Sequence, residues 1–188
     1  MALELRRKSI HLIGLIVPIV YIFIERHQAV IAVGILVIGA LVMELLKAVW
    51  PSFSVVFYRV FTPMLRTHER NGAITGATYF LVGAFLPILL FPKILAIVCI
   101  LFMILGDMAA ALIGKKWGRT KLFPRKSLEG SLACFLVCVL IAIVKLNPAV
   151  AIIGALAATV VEVLPIKLDD NLTMPLLSGL AMYAFLSG

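Results

Sequence analysis

Seven apolar runs of near-bilayer length, separated by polar connections, account for most of the chain: 5–24, 29–49, 73–91, 93–113, 131–145, 148–164 and 172–187. A helix that crosses the hydrocarbon core needs about 20 mostly apolar residues, with a working range of roughly 17–25. The 131–145 run is short, so six spans are the alternative to seven. The pattern predicts an all-α polytopic membrane protein of about seven transmembrane helices. Little chain is left for a soluble domain, so residues 1–188 are expected to form one membrane-embedded domain.

Two connections are long. Residues 51–71 carry Phe53, Phe57, Phe61 and Met64 at near-helical spacing with Arg59 and Arg66 between them. That predicts a helix lying in the interface until Pro63 interrupts it. Residues 114–130 hold six basic residues and three glycines, Gly114, Gly118 and Gly130, which permit backbone geometries that other residues resist. Gly72–Gly76 and Gly154–Ala158 have a small-xxx-small spacing that suits close helix packing.

Composition agrees with the pattern: 63% of the 188 residues are hydrophobic and 14% charged, far from the soluble average. The first apolar run follows Arg6, Arg7 and Lys8 like a signal peptide, but no small-residue cleavage site follows, so it reads as a retained first helix. Lys and Arg accumulate in cytoplasmic loops. On a seven-span path with the N-terminus inside, 14 of the 17 basic residues fall on the cytoplasmic side, and only Arg26, Lys93 and Lys145 fall outside. Acidic residues contribute little to topology, yet only Glu25 of the nine lies outside. Either they balance the basic loops or they form a polar active site facing the cytoplasm. The net charge of +8 suits anionic lipid headgroups or a nucleotide's phosphates, and nucleic acid is not expected as a partner. Cys99, Cys134 and Cys138 lie inside predicted spans and read as small apolar fillers.

Asp107 is the sharpest chemical signal. It follows Gly106 near the inner end of the fourth run, about two turns before Lys115 at ~1.5 Å per residue. An ionisable residue at such depth is a functional candidate; pairing with a lysine is the plain alternative. The basic loop beyond it can hold a triphosphate or serve topology alone, and no Walker spacing is present. A second acidic cluster, Glu162, Asp169, Asp170 and Asn171, sits at the junction of the last two runs. Asp170 or Asn171 is placed to cap a helix, and with Asp107 the cluster has the composition of a Mg²⁺ site shared with phosphate oxygens. Lys8 and His11, three apart, share a helix face, and Glu69-Arg70-Asn71-Gly72 is a charged turn entering the third run.

In order, Arg7-Lys8-x-x-His11, Glu69-x-Asn71-Gly72, Gly106-Asp107-x-x-Ala110-x-x-x-Gly114-x-x-x-Gly118, Lys126-Ser127-Leu128-Glu129-Gly130-Ser131, and Glu162 followed by Asp170-Asn171-Leu172-x-x-Pro175 resemble the polyprenol kinase family. That family includes dolichol kinase, phytol kinase and the CTP-dependent diacylglycerol kinase of fungi; the long N-terminal membrane region of dolichol kinases has no counterpart here. The resemblance implies phosphoryl transfer from CTP, with Mg²⁺, to the hydroxyl of a membrane lipid alcohol: a polyprenol, a phytol-like isoprenoid or diacylglycerol. It implies Asp107, His11, Lys8 and Glu129 as catalytic candidates. Gly106, Ala110, Gly114, Lys115, Gly118, Lys121, Lys126, Ser127 and Gly130 are then nucleotide-binding candidates. Asp107, Asp170, Asn171 and Glu162 become metal ligands, and Glu69, Asn71 and Gly72 become contacts for the acceptor. A homodimer is compatible with the sequence.

Two rivals stand beside this expectation. A CTP:phosphatidate cytidylyltransferase-like enzyme also carries a Gly-Asp-x-x-Ala block near a basic loop, but it releases pyrophosphate and a CDP-lipid. A small anion transporter explains the basic sidedness, but it calls for polar groups near the midplane or an inverted repeat.

Overall fold

A computed structural model describes residues 12–124, 126–165 and 168–186. It is helical apart from one small hairpin. In chain order come α1 (Ile16–Phe23), α2 (Arg26–Val49), α3 (Pro51–Phe61), the short α4 (Thr67–Arg70), α5 (Gly76–Leu90) and α6 (Lys93–Leu101). A π-helical turn, Phe102–Gly106, joins α6 to α7 (Asp107–Trp117). The strands β1 (Lys121–Phe123) and β2 (Lys126–Ser127) pair antiparallel, and α8 (Leu128–Ile143), α9 (Pro148–Val163) and α10 (Asp170–Leu186) complete the fold.

The all-α expectation holds, and the span count is coarser than the sequence suggested. Among the described residues two helices are long and apolar enough to cross a membrane, α2 with 24 residues and the joined α6–α7 helix with 25. The apolar helices α5, α8 and α9 have 15, 16 and 16 residues. At ~1.5 Å per residue each covers about 22–24 Å of a core ~30 Å thick, so flanking residues must complete any crossing.

Local chemistry sets the boundaries. Glu25 and Gln28 form a capping box at the start of α2. Pro51 opens α3, which stops at Phe61 before Pro63, as expected. The hydroxyl of Ser127 accepts from the Gly130 N–H at 3.2 Å, so α8 begins at Leu128, earlier than the apolar run alone indicated. Asn147 Oδ1 accepts from the Val150 N–H at 2.9 Å to open α9. At α10 the cap is Asp169, not Asp170 or Asn171 as expected. Its Oδ1 accepts from the Asn171 N–H at 3.0 Å, and its carbonyl accepts from Leu172 and Thr173. Asp170 and Asn171 are thereby drawn into the first turn of the helix.

Two buried apolar clusters hold the bundle. One gathers α6, α8, α9 and α10 around Phe102, Cys134, Cys138, Ala155, Met174 and Met182. The other gathers α1, α2, α5 and α6 around Tyr21, Val33, Ala84, Ile88 and Met103. Small residues permit the closest approaches. A Cβ on Gly83 would lie 1.9 Å from the Asn171 carbonyl oxygen, so α5 can seat the start of α10 only with glycine there. Gly154 meets Met182 in the same way, with Sδ 2.3 Å from a Cβ at that position, in keeping with the small-residue spacing at 154–158. The outward side of α2 keeps Ile31, Ile35 and Ile38 more than half exposed, as a lipid-facing helix requires.

The two ends of the bundle differ. At one end Arg26 donates to the carbonyls of Ile88 and Leu89, and Lys93 donates to those of Ile22 and Ile24 at 3.1 and 2.8 Å. These cations satisfy carbonyls left over where α5 and α1 finish. Buried acids and their partners gather at the other end.

Candidate functional site

The site is built on three charged groupings. The first is Glu44 and Lys47, one turn apart on α2 and joined at 2.5 Å. Glu44 Oε1 accepts from the Thr75 N–H and Oγ1 at 2.8 Å each and from Thr78 Oγ1 at 3.0 Å, while Lys47 donates to the Ala73 carbonyl at 2.9 Å. This buried pair fixes residues 73–78 against α2.

In the second grouping, Arg66 donates through Nη1 to Asp169 Oδ2 at 2.6 Å. The almost fully buried Glu69 accepts from the backbone N–H of Arg66 at 2.8 Å and of Gly76 at 3.0 Å. Gly72, with φ of +97°, makes the turn between these contacts. Burial pulls the Arg66 guanidinium down, but Asp169, Asp170 and Glu69 together more than offset it, leaving it above its ordinary value. Burial pushes the Asp169 carboxyl up; Arg66 pulls the other way and Asp170 adds to the rise, so the net direction is upward.

Lys126 anchors the third. It leaves β2 to meet Glu162 Oε1 at 2.5 Å and Asp170 Oδ2 at 3.9 Å. Burial lowers its pKa, yet the bond to Glu162 and the fields of Glu162, Asp170 and Asp107 outweigh burial and raise it. Lys126 therefore stays protonated at neutral pH. Glu162 is 4% exposed, and its second oxygen, Oε2, is buried with no hydrogen-bond partner, an arrangement that costs free energy unless something fills it. A cleft of about 420 Å³ opens between the second and third groupings, lined among others by Arg66, Lys126, Glu162, Asp169 and Asp170.

The charge balance here reverses that of the whole chain. Arg66 and Lys126 lie in the fields of five carboxylates, those of Glu69, Asp107, Glu162, Asp169 and Asp170. Among the described residues no three of His, Cys, Asp and Glu converge as a metal cage. A Mg²⁺ that shares its shell with phosphate oxygens and water needs only one or two carboxylates.

The structure brings Asp107, Lys126, Glu162 and Asp170 into one electrostatic neighbourhood. Asn171 lies beside Glu69 and Arg66 across Gly76, and Asn71 and Gly72 sit on the exposed turn that leads to the cleft residues Ala73 and Ile74. Other candidates face protein. The space where Gly106 would carry a side chain is taken by Cys138 Sγ at 2.8 Å. At Gly118 it is taken by the Gly114 carbonyl at 2.1 Å and Ser127 Oγ at 2.5 Å, and at Gly130 by the Ala110 carbonyl at 2.6 Å. These positions let α7 and α8 cross closely, and a nucleotide can use them only through backbone N–H groups. Ser127 is occupied as a cap, and Glu129 accepts from the Thr120 N–H at 3.0 Å, fastening the loop before the hairpin. Lys115 lies in the last turn of α7, Lys121 is exposed on β1, and Lys8 and His11 lie outside the described residues. Sequence reasoning missed Arg66 and Asp169 as partners. Their only signals were the spacing of Arg66 three before Glu69 and the doubled acid at 169–170.

No family model matches the chain, and no solved structure matches it. Curated relatives do. An uncharacterized protein of Rickettsia prowazekii is 30% identical over 184 residues, covering 92% of this chain and 90% of its own. CTP-dependent diacylglycerol kinase 1 of Schizosaccharomyces pombe is 28% identical over 166 residues, 78% of this chain and 76% of its own. The phytol kinase of a Synechocystis strain is 35% identical over 150 residues, 70% of this chain and 63% of its own.

Proposed function

The chain belongs to the polyprenol kinase family, and from that premise we propose that it is a CTP-dependent lipid kinase. It transfers the γ-phosphoryl group to the hydroxyl of a membrane lipid alcohol, whether a polyprenol, a phytol-like isoprenoid or diacylglycerol. The observation that carries this reading is the excess of carboxylates around Lys126 with one buried Glu162 oxygen left without a partner. Among the described residues five carboxylates surround Arg66 and Lys126, so a polyanionic nucleotide is best met here with further positive charge. Asp107, Asp170 and Glu162, with Asn171 in support, would hold Mg²⁺. Bound there, it would neutralise the phosphate charge that phosphoryl transfer spreads over the equatorial oxygens.

The chain's own groups do the rest. Lys126, held protonated, meets the phosphates from the side of the hairpin, and Lys115 and Lys121 extend the cationic approach from the cytoplasm. Backbone N–H groups near Gly114 and Gly118 add donors. Glu129 keeps that loop in place by accepting from Thr120. Asp107 or His11 would receive the acceptor's proton, and a loose transition state asks little of that base.

Lys126→Gln should raise the nucleotide KM at least about tenfold, equivalent to ~1.4 kcal/mol, in protein that still extracts as a folded species. An unchanged KM after replacing Lys115, Lys121 and Lys126 together would assign these charges to topology alone.

The multi-pass reading has seven spans, an inside N-terminus and an active site facing the cytoplasm. Cysteine-accessibility reporters at Lys116 should then label from the cytosol, and those at Lys93 and the C-terminus from outside. A cytosolic C-terminus would remove one span, most simply 131–145. The transporter alternative fares worse, because the buried ion pairs Glu44–Lys47, Arg66–Asp169 and Lys126–Glu162 involve residues at the ends of their helices or in the connections.

A further inference from the structure

The 420 Å³ cleft is two-faced. Its polar floor includes Arg66 and Lys126 together with Glu162, Asp169 and Asp170. Its walls are apolar: Ala73 and Ile74 from the segment ahead of α5, and Val161, Leu164, Pro165 and Leu168 from the end of α9 and the connection to α10. Three of these wall residues, Ile74, Leu164 and Leu168, are 45%, 47% and 56% exposed, so the wall continues outward as apolar surface. None of the basic residues at the end of α7 or on β1 lines this space: Lys115, Lys116, Arg119 and Lys121 are all elsewhere. Among the described basic residues Lys126 alone belongs to both, since its backbone pairs with Phe123 in the hairpin while its side chain reaches the floor.

We propose that this cleft is the acceptor site, that the lipid enters along the Ile74–Leu164–Leu168 wall, and that its head is an uncharged hydroxyl. The proposal rests on the kinase reading, including its alcohol acceptor, and adds to it a location and an entrance. An apolar wall leading to a charged floor suits an amphiphile whose body stays against hydrocarbon while only its tip is desolvated among polar groups. A phosphate-bearing headgroup arriving without a cation is disfavoured here, because Arg66 and Lys126 are already paired with Asp169 and Glu162, and the carboxylates of Glu162, Asp169 and Asp170 outnumber them in a partly buried site. An alcohol meets no such barrier and can donate its proton to a carboxylate. The nucleotide, arriving from the hairpin side, then meets the acceptor at Lys126. The acceptor oxygen forms the new bond to the γ-phosphorus, the bond from that phosphorus to the β–γ bridging oxygen breaks, that oxygen leaves with CDP, and the hydroxyl proton passes to a basic group of the site such as Asp107.

The test uses the full chain in lipid nanodiscs and a diazirine-bearing long-chain isoprenoid alcohol as the photoprobe. Labelled peptides should contain residues 73–79 and 161–168, and excess unlabelled alcohol, but not a phosphate-headed lipid of equal chain length, should suppress the labelling. In parallel, Ile74→Trp and Leu168→Trp fill the wall. They should raise the KM for the alcohol at least about fivefold and leave the nucleotide KM within about twofold. Labelling confined to other parts of the chain, or suppression by the phosphate-headed lipid as effective as by the alcohol, overturns the proposal even if kinase activity is intact. Specific labelling of the cleft in protein that phosphorylates no alcohol would uphold the site and overturn the kinase reading instead. The two ideas therefore fail separately.

Discussion

Asp107→Asn should insert normally, extract as a folded protein and lose at least two orders of magnitude in turnover, about 2.7 kcal/mol of transition-state stabilisation. The substitution keeps the size of the side chain and one acceptor oxygen while removing its negative charge. Asp107 follows the π-helical turn Phe102–Gly106 and acts on both Lys126 and Glu162. Insertions of that kind recur at functional sites because the extra residue re-aims whatever follows it. If Asp107 serves the metal and the acceptor's proton, the defect appears in kcat, and raised Mg²⁺ or added Mn²⁺ recovers part of it. Near-normal turnover in a well-folded Asp107→Asn protein would shift the metal to Glu162, Asp169 and Asp170 and leave Asp107 a structural partner.

The second large effect is on stability. Lys47 is 6% exposed and bonded to Glu44 at 2.5 Å and to the Ala73 carbonyl at 2.9 Å. Removing one partner of a buried ion pair leaves the other charge uncompensated, at a cost of about 3–5 kcal/mol. Lys47→Met should therefore lower the unfolding midpoint in detergent by that order and loosen residues 73–75, which frame the cleft. The double variant Glu44→Gln, Lys47→Met removes both charges and keeps comparable volume, so most of the loss should return. A double variant as unstable as the single one would show that Lys47 acts through packing, for instance over the Phe57 ring at 5.6 Å, and not through Glu44.

How much of this was legible follows from how far each signal reaches along the chain. Apolar runs announce membrane helices because their composition is local, and Asp107 stood out because it interrupts one. Glu162 and Asp170 were visible as acids at a predicted helix junction, and the structure sets both against Lys126. The Arg66–Asp169 pair spans 103 residues, and nothing in either segment names the other. The π turn left no mark, since a single inserted residue barely alters an all-apolar stretch. The block 126–131 was read as loop chemistry because Lys126, Ser127, Glu129 and Gly130 are polar or small. In the fold, Ser127 caps α8, Gly130 lets it cross α7, and Glu129 fastens the preceding loop. Net charge says little about the site: a net +8 chain concentrates carboxylates where its candidate chemistry lies, as the sidedness of its acids had suggested.

The most direct test of the kinase account follows the fate of the nucleotide's phosphates. Protein in nanodiscs is incubated with Mg²⁺, a panel of lipid alcohols and CTP carrying label on either the γ- or the α-phosphate, and the lipid products are identified. The account predicts γ-label on the lipid, release of CDP and no α-label transfer. α-Label on the lipid with release of pyrophosphate would make the chain a CDP-lipid synthase and contradict it, as would γ-label that reaches no alcohol at all.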